Sequence, residues 1–241
     1  MSNAKWRKCL AAGFFSVLVA LNADAVPLTY NFGDGTPGDL GSPSVVFDVD
    51  ETLLEVHGFY FDAGIFKDAN LYRRNQTNDH GLGVCNPREE PCPGPDGGGD
   101  VNELDNDGRA ELIRLALPAG FRWERVGVSS LDDNDGGPLE RGQLFADDGD
   151  PNNGLGALIL QFAGGGPIEP SFAVPAGFQL SPYLFFRPFD WSPGGDNKNN
   201  DYLVRTAIID REQETPEPAS LTLLVAGLAL LGLAGRRRGR S

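Results

Sequence analysis

Three short runs of acids have the clearest capacity for chemistry in this chain. Glu103, Asp105 and Asp107 stand ahead of Gly108, Asp132, Asp133 and Asp135 ahead of Gly136, and Asp147, Asp148 and Asp150 ahead of Pro151. Closely spaced acids before a glycine gather hard oxygen atoms on one turn, and Ca²⁺ takes about six to eight such ligands. An EF-hand does not fit. A loop with its glycine at Gly108 begins at Glu103 but puts Arg114 where a bidentate acid is needed, and the register through Gly136 begins at Leu131. A calcium site drawing on Glu103, Asp105, Asp107, Asp132, Asp133 and Asp135 would therefore be of the β-sandwich loop kind. Solvated turn acids are the other reading, and the third run reads as a turn.

Other chemistry is sparse. The chain has no Gly-x-Ser-x-Gly elbow, no His-Glu-x-x-His helix and no phosphate-binding glycine loop. His57 lies in an apolar run, where a packed or hydrogen-bonded role outweighs that of a base. A glycoside hydrolase needs two carboxylates set in space rather than in sequence, so the many acids single out no pair. The expectation is a protein that is not an enzyme. Trp123, Tyr183, Phe185, Phe186, Phe189 and Trp191 could supply a sugar-binding face, although a sandwich of this size also needs aromatic rings for its core.

The elements that would carry these residues read as strands. Val45, Phe47 and Val49 alternate with polar neighbours, and Leu53 to Phe61 is rich in aromatic residues. Leu112 to Leu117 leads through Pro118, Ala119 and Gly120 into Phe121, Trp123, Val126 and Val128, which reads as a hairpin. A helix is the competing reading for Glu111 to Leu117. Further strands are expected at Gln143 to Ala146, Ala157 to Phe162, Phe178 to Phe186 and Tyr202 to Ile209, separated by Gly, Pro, Asn and Asp. Seven to nine strands without an amphipathic helix predict an all-β fold. Its form is a two-layer antiparallel β-sandwich, jelly-roll-like, over residues 26–213.

Composition limits the partners. Residues 26–215 hold 13 Lys and Arg against 32 Asp and Glu, a formal charge of −19. Nucleic acid and anionic membrane surfaces are disfavoured, whereas bound cations are not. In that span Cys85 and Cys92 are the two cysteines. In an oxidising compartment they are expected to form a disulfide, contributing about 2 to 3 kcal/mol on the chain-entropy account. Zinc would need further ligands, and His57 and His80 are not at ligand spacing with them.

Both ends carry targeting signals. Lys5, Arg7 and Lys8 precede the apolar stretch Leu10 to Leu21, and Ala23, Asp24 and Ala25 follow, so residues 1–25 read as a signal peptide cut after Ala25. At the other end, Pro216, Glu217 and Pro218 precede an uncharged run over 219–235, then Arg236, Arg237 and Arg238. As a helix, that run would span about 25 Å, near the lower limit for crossing a bilayer. The basic end, residues 236–241, would stay cytoplasmic, leaving the preceding chain outside.

The order of motif, apolar span and arginines over 214–241 resembles the PEP-CTERM sorting signal of Gram-negative bacteria. The resemblance implies recognition by an exosortase, a membrane cysteine protease acting near Pro216–Pro218, in bacteria that make exopolysaccharide. Gly81–Val84, Glu103–Asn106, Asp132–Asp135 and Asp201–Val204 also look like the β-sandwich ectodomain that recurs ahead of such tails. The expected protein is exported to the cell envelope or surface, or released to the matrix. Its expected role is structural or adhesive and linked to exopolysaccharide. A calcium-dependent carbohydrate-binding module is the alternative, and a secreted glycoside hydrolase the third reading. Exosortase, signal peptidase and the membrane would be its partners, and Ca²⁺ its one candidate cofactor.

Overall fold

The computed structural model describes residues 26–76, 79–87, 103–105, 109–131, 139–147, 149–165, 169–189 and 200–212. The expected signal peptide, Cys92, Trp191, the acids 107, 132, 133 and 135, and the tail from 213 onward lie outside them. No helix among the described residues is long and apolar enough to cross a membrane.

These residues form two seven-stranded antiparallel sheets. In the first sheet the order is β12 (Ser171–Ala173), β9 (Phe121–Ser129), β14 (Leu203–Arg211), β7 (Asp79–Cys85), β6 (Asn70–Gln76) and β2 (Gly38–Asp39), with β1 (Leu28–Asn31) also beside β14. The second runs β11 (Ala157–Ala163), β10 (Arg141–Asp147), β13 (Tyr183–Pro188), β8 (Glu111–Ala116), β4 (Thr52–Asp62) and β3 (Ser44–Val49), with β5 (Ile65–Asp68) on β4. The all-β, two-sheet expectation holds. The strands from β7 onward wind as a jelly roll, with β7, β14, β9 and β12 in one sheet and β8, β13, β10 and β11 in the other.

That winding corrects the expected hairpin at Pro118 to Gly120. β8 pairs with β4 and β13, and β9 pairs with β14 and β12, so the two belong to different sheets and the turn is an arch between them. Each strand has both edges occupied, which leaves no edge for the other. Gly120, at φ +79°, makes the corner, and its carbonyl accepts from Glu212 N at 2.9 Å. The segment Glu111–Ala116 is strand rather than helix. Its inward residues Ile113 and Leu115 are fully buried, as the two-residue period of a strand requires.

The strand expected at Phe178 to Phe186 begins only at Tyr183, after a 3₁₀ turn over Ala176–Phe178. Fourteen strands are found among the described residues, against seven to nine expected. Polar residues occupy five of the seven positions of β6, NLYRRNQ, and polar or glycine residues four of the seven of β7, DHGLGVC, which leaves too few apolar side chains to mark either as a strand. β1, β2, β5 and β12 are four residues or shorter, too short to show a period.

The main core lies between the sheets and contains Trp123, Tyr30, Tyr202, Phe32, Phe186 and Leu54. Trp123 and Val126 both point inward although they are three residues apart. A bulge explains this: Ile209 pairs with Trp123 but its neighbour Ile208 pairs with Arg125, so Glu124 is the extra residue. Gly142 on β10 gives the core a close approach, since a Cβ there would lie 2.2 Å from Phe162 and 2.8 Å from Tyr202.

Tyr30, on β1, donates its hydroxyl to the carbonyl of Thr52 at 2.8 Å. Burial, then the carboxylates of Asp48 and Asp50, push its pKa from 10.0 to about 12. The folded protein therefore holds this proton after the unfolded chain has lost it. The resulting stability is complete below pH 10 and is expected to fall as pH rises from 10 to about 12. Urea midpoints across that range should decline, and the decline should be shallower in Tyr30→Phe.

Candidate functional site

Glu103 and Asp105 lie at one pole of the sandwich. β8 starts there, β9 ends there, and β14 starts there before running to the opposite pole, where the chain leaves toward the tail. Residues 103–105 are stitched into this pole: Leu104 N donates to Tyr202 O at 2.8 Å, and Glu111 N donates to Asp105 O at 3.1 Å. Asp105 N in turn donates to Glu111 Oε2 at 3.3 Å. The arch still returns the chain to the same end, so Leu131, just ahead of the second acidic run, lies at this pole too.

Glu103 is 4% exposed and forms an ion pair with Arg74 of β6. Ser130 also donates its hydroxyl to Glu103 Oε1, at 2.8 Å. Glu103 is thus neutralised by an arginine within the fold. Asp105 is buried beside it, while Asp107, Asp132, Asp133 and Asp135 fall outside the described residues. Among the described residues no group of three or more His, Cys, Asp or Glu is placed to hold a metal. Cys85 is buried at the end of β7 and is disulfide-bonded, with Cys92 outside the described residues.

A second cluster of rings covers the outer face of the β4-containing sheet. Phe59, Leu112, Phe145 and Phe185 are buried there with Phe66, and Phe61, Leu155 and Tyr183 pack against them. Strand alternation is the cause: Leu184 and Phe186 of β13 face the main core, while Tyr183, Phe185 and Arg187 face outward. Arg114 lies on this face, its guanidinium 4.9 Å from the Tyr183 ring centre and 5.6 Å from that of Phe59. It donates to the carbonyl of Gly149 at 2.9 Å, which draws the following loop down over the sheet. His57 stacks on Phe59 at 4.3 Å and sits 2.9 Å from Asp68, so it is the packed, hydrogen-bonded residue expected.

Where that loop passes β5, an open cleft of about 340 Å³ remains. Phe61, Phe66, Phe145, Pro151 and Leu155 form its apolar walls, Gly64, Gly154 and Gly156 expose backbone, and Asn152 and Arg187 complete it. The Asn152 side-chain amide bridges β5, accepting from Phe66 N at 2.6 Å and donating to Phe66 O at 3.2 Å. Asp150 holds the turn by accepting from Asn152 N at 2.9 Å. Arg187 lies over the Phe145 ring at 4.7 Å and donates to Gln143, its cross-strand neighbour. Burial lowers the Arg187 pKa below its ordinary range.

Of the aromatic residues expected to form a face, Trp123 and Phe186 belong to the main core, whereas Tyr183 and Phe185 lie on this outer face. The ring of Phe189 carries the guanidinium of Arg141 at 5.4 Å. The cleft itself was not foreseen. Parity along β13 puts Arg187 on the same side as Phe185, but its other walls come from strands and a turn whose neighbourhood the sequence does not display.

Residues 214–238 match the family described as the PEP-CTERM protein-sorting motif. The chain is therefore a PEP-CTERM protein with a β-sandwich ectodomain ahead of the motif, which implies export, processing by an exosortase and association with the cell envelope. Among solved structures, the K1 cleaved adhesin domain of Lys-gingipain (Kgp) from Porphyromonas gingivalis W83 is similar, at 13% identity and a TM-score of 0.27. That match covers 77% of this chain and 95% of the other. No curated protein matches the chain.

Proposed function

We propose that this is a non-enzymatic surface protein of a Gram-negative bacterium with a structural or adhesive role in association with exopolysaccharide. The observation that carries the reading is the sorting motif at 214–238 behind an acidic sandwich. In this reading a signal peptide over 1–25 starts export, the apolar run 219–235 holds the chain in the membrane, and Arg236, Arg237 and Arg238 keep its end cytoplasmic. Cys85 and Cys92 form the disulfide. The exosortase then acts near Pro216, Glu217 and Pro218, leaving the ectodomain at the surface or releasing it to the matrix.

The mass of the mature C-terminus in cells tests this. An end near residues 216–218 is expected, and replacing all three motif residues by alanine should leave the tail uncut to Ser241. An intact tail on the wild-type protein would reduce the segment to an anchor. Calcium-dependent carbohydrate binding is the second reading, supported by Glu103 and Asp105 lying at the same pole as Leu131, which directly precedes the acidic run 132–135 in the sequence. Titrating Ca²⁺ while following thermal unfolding tests it, and an unchanged midpoint at millimolar Ca²⁺ would exclude it.

A further inference from the structure

β11 is an outer strand without the usual protection. Of the other strands that end the two sheets, β2 has two residues, β12 has three, and β3, with six, carries Asp48. β11 has seven residues, ALILQFA, with no charge and no proline. Among the described residues it pairs on one side only, with β10, and Ala157, Leu158, Gln161 and Ala163 are exposed. Short length, charge and proline are what normally keep an outer strand from accepting another. The free side of β11 therefore offers its backbone N–H and C=O groups to an added strand.

The occupant that fits is a second copy of the chain. Two copies with a net charge of −14 each repel one another, and they meet at lowest cost along a strand that holds no charge. An antiparallel pair with two-fold symmetry sets one residue against its own copy. The register shift opposite Leu144 and Phe145 makes Ile159 the extra residue, so the regular stretch is Leu160–Ala163, within which Gln161 is polar and exposed. Centred there, two Gln161 amides face each other, and each can donate and accept. On the core-facing side Leu160 meets Phe162 of the second copy, an aliphatic–aromatic pair that continues the main core across the seam.

The same symmetry decides where the two copies stand. β8 starts at the pole of Glu103 and Asp105, and three antiparallel steps lead from it through β13 and β10 to β11. β11 therefore runs toward that pole, and Gln161 lies in its half away from the tail. The two-fold axis crosses the strands, so one copy is turned end for end relative to the other and the two tails leave in opposite directions.

We infer that β11 pairs antiparallel with β11 of a second copy, centred on Gln161, and so joins proteins anchored on two opposing surfaces. This supplies a partner for the adhesive role; the bridging rests on that reading, and the strand pairing does not. One strand pair is a small interface, so a single contact is weak and many contacts between two surfaces act together.

Sedimentation equilibrium of the full chain in density-matched detergent micelles tests the pairing, with EDTA present so that calcium plays no part. A monomer–dimer equilibrium is expected. Gln161→Lys and Gln161→Glu should each weaken the dimer about tenfold at an unchanged melting temperature, through a lost amide pair and a charge set against its own copy. Mixing the two variants should restore it. Absence of the wild-type dimer, a dimer unchanged in either variant, as a contact made by the tails would give, or no recovery on mixing would overturn the pairing. Vesicles carrying Gln161→Lys, mixed with vesicles carrying Gln161→Glu, should cluster more than either set alone. Vesicles that hold the chain on flotation yet do not cluster would overturn the bridging. A chain that does not float with vesicles would instead overturn the anchored reading, and the micelle result would still decide the pairing.

Discussion

Trp123→Ala is expected to remove about 3 to 5 kcal/mol of folding stability, the range for emptying a large aromatic site in a core. Trp123 is fully buried at the centre of the intersheet core, and its indole N–H donates to Ser181 O at 2.8 Å. Its backbone N donates to Gln179 O at 2.8 Å, so the site also anchors the connection leading into β13. A domain of ordinary stability has about 5 to 15 kcal/mol in total, so this one change approaches the limit. Trp123→Phe should cost less, about 1 to 3 kcal/mol, by leaving the Ser181 carbonyl without its donor and a smaller void. Urea unfolding of the 26–213 ectodomain should rank wild type above Trp123→Phe above Trp123→Ala with similar slopes. A loss below about 1 kcal/mol for the alanine variant would contradict the assignment of Trp123 to the core.

Arg74→Met should be the most damaging change outside the apolar core. It leaves Glu103 buried without the guanidinium that balances it, and breaking a buried pair from one side costs about 3 to 5 kcal/mol. The cost comes from the stranded charge rather than from the pair itself. Arg74→Met combined with Glu103→Leu should therefore recover most of the loss, since two apolar side chains of similar volume replace both charges. A double variant as unstable as the single one would show that the pair is needed for geometry and not for charge balance. Ser130 bears on this outcome because its hydroxyl donates to Glu103. Denaturant midpoints of the two single variants and the double variant complete the cycle.

The strands that could be read in the sequence are those with one face in the main core. β3, β4, β8, β9, β10, β11 and β14 show apolar residues at the expected period, and each expected segment overlaps its strand. Partner choice was not legible. Pro118–Gly120 has the composition of a hairpin turn, yet it joins strands whose edges are taken by β4, β13, β14 and β12. Long-range competition decided the matter, because a strand buried inside a sheet has no edge left for its neighbour in sequence. The same limit applies at the acidic pole. Spacing marked Glu103 as a metal ligand, but its ion partner Arg74 lies 29 residues earlier on a strand with no apolar pattern. In the cleft, Phe61, Phe145, Asn152 and Arg187 come from four separate segments, and only the folded sheet makes them neighbours.

The placement of β14 has a mechanical consequence. Chain beyond residue 212 emerges directly from this strand, which lies inside its sheet between β9 on one side and β7 and β1 on the other. Ladder hydrogen bonds run across strands, so a pull along β14 loads many of them at once instead of opening them one by one. Eight β14 residues between Leu203 and Arg211 pair with β9, and four from Thr206 to Ile209 are gripped by β1 as well. A tension between the tail and a load at the far pole is therefore borne in shear. Resistance to forced unfolding is a matter of unfolding rate, and shear loading of an interior strand keeps that rate low. The strand that connects the sandwich to its tail is thus the one best placed to carry load.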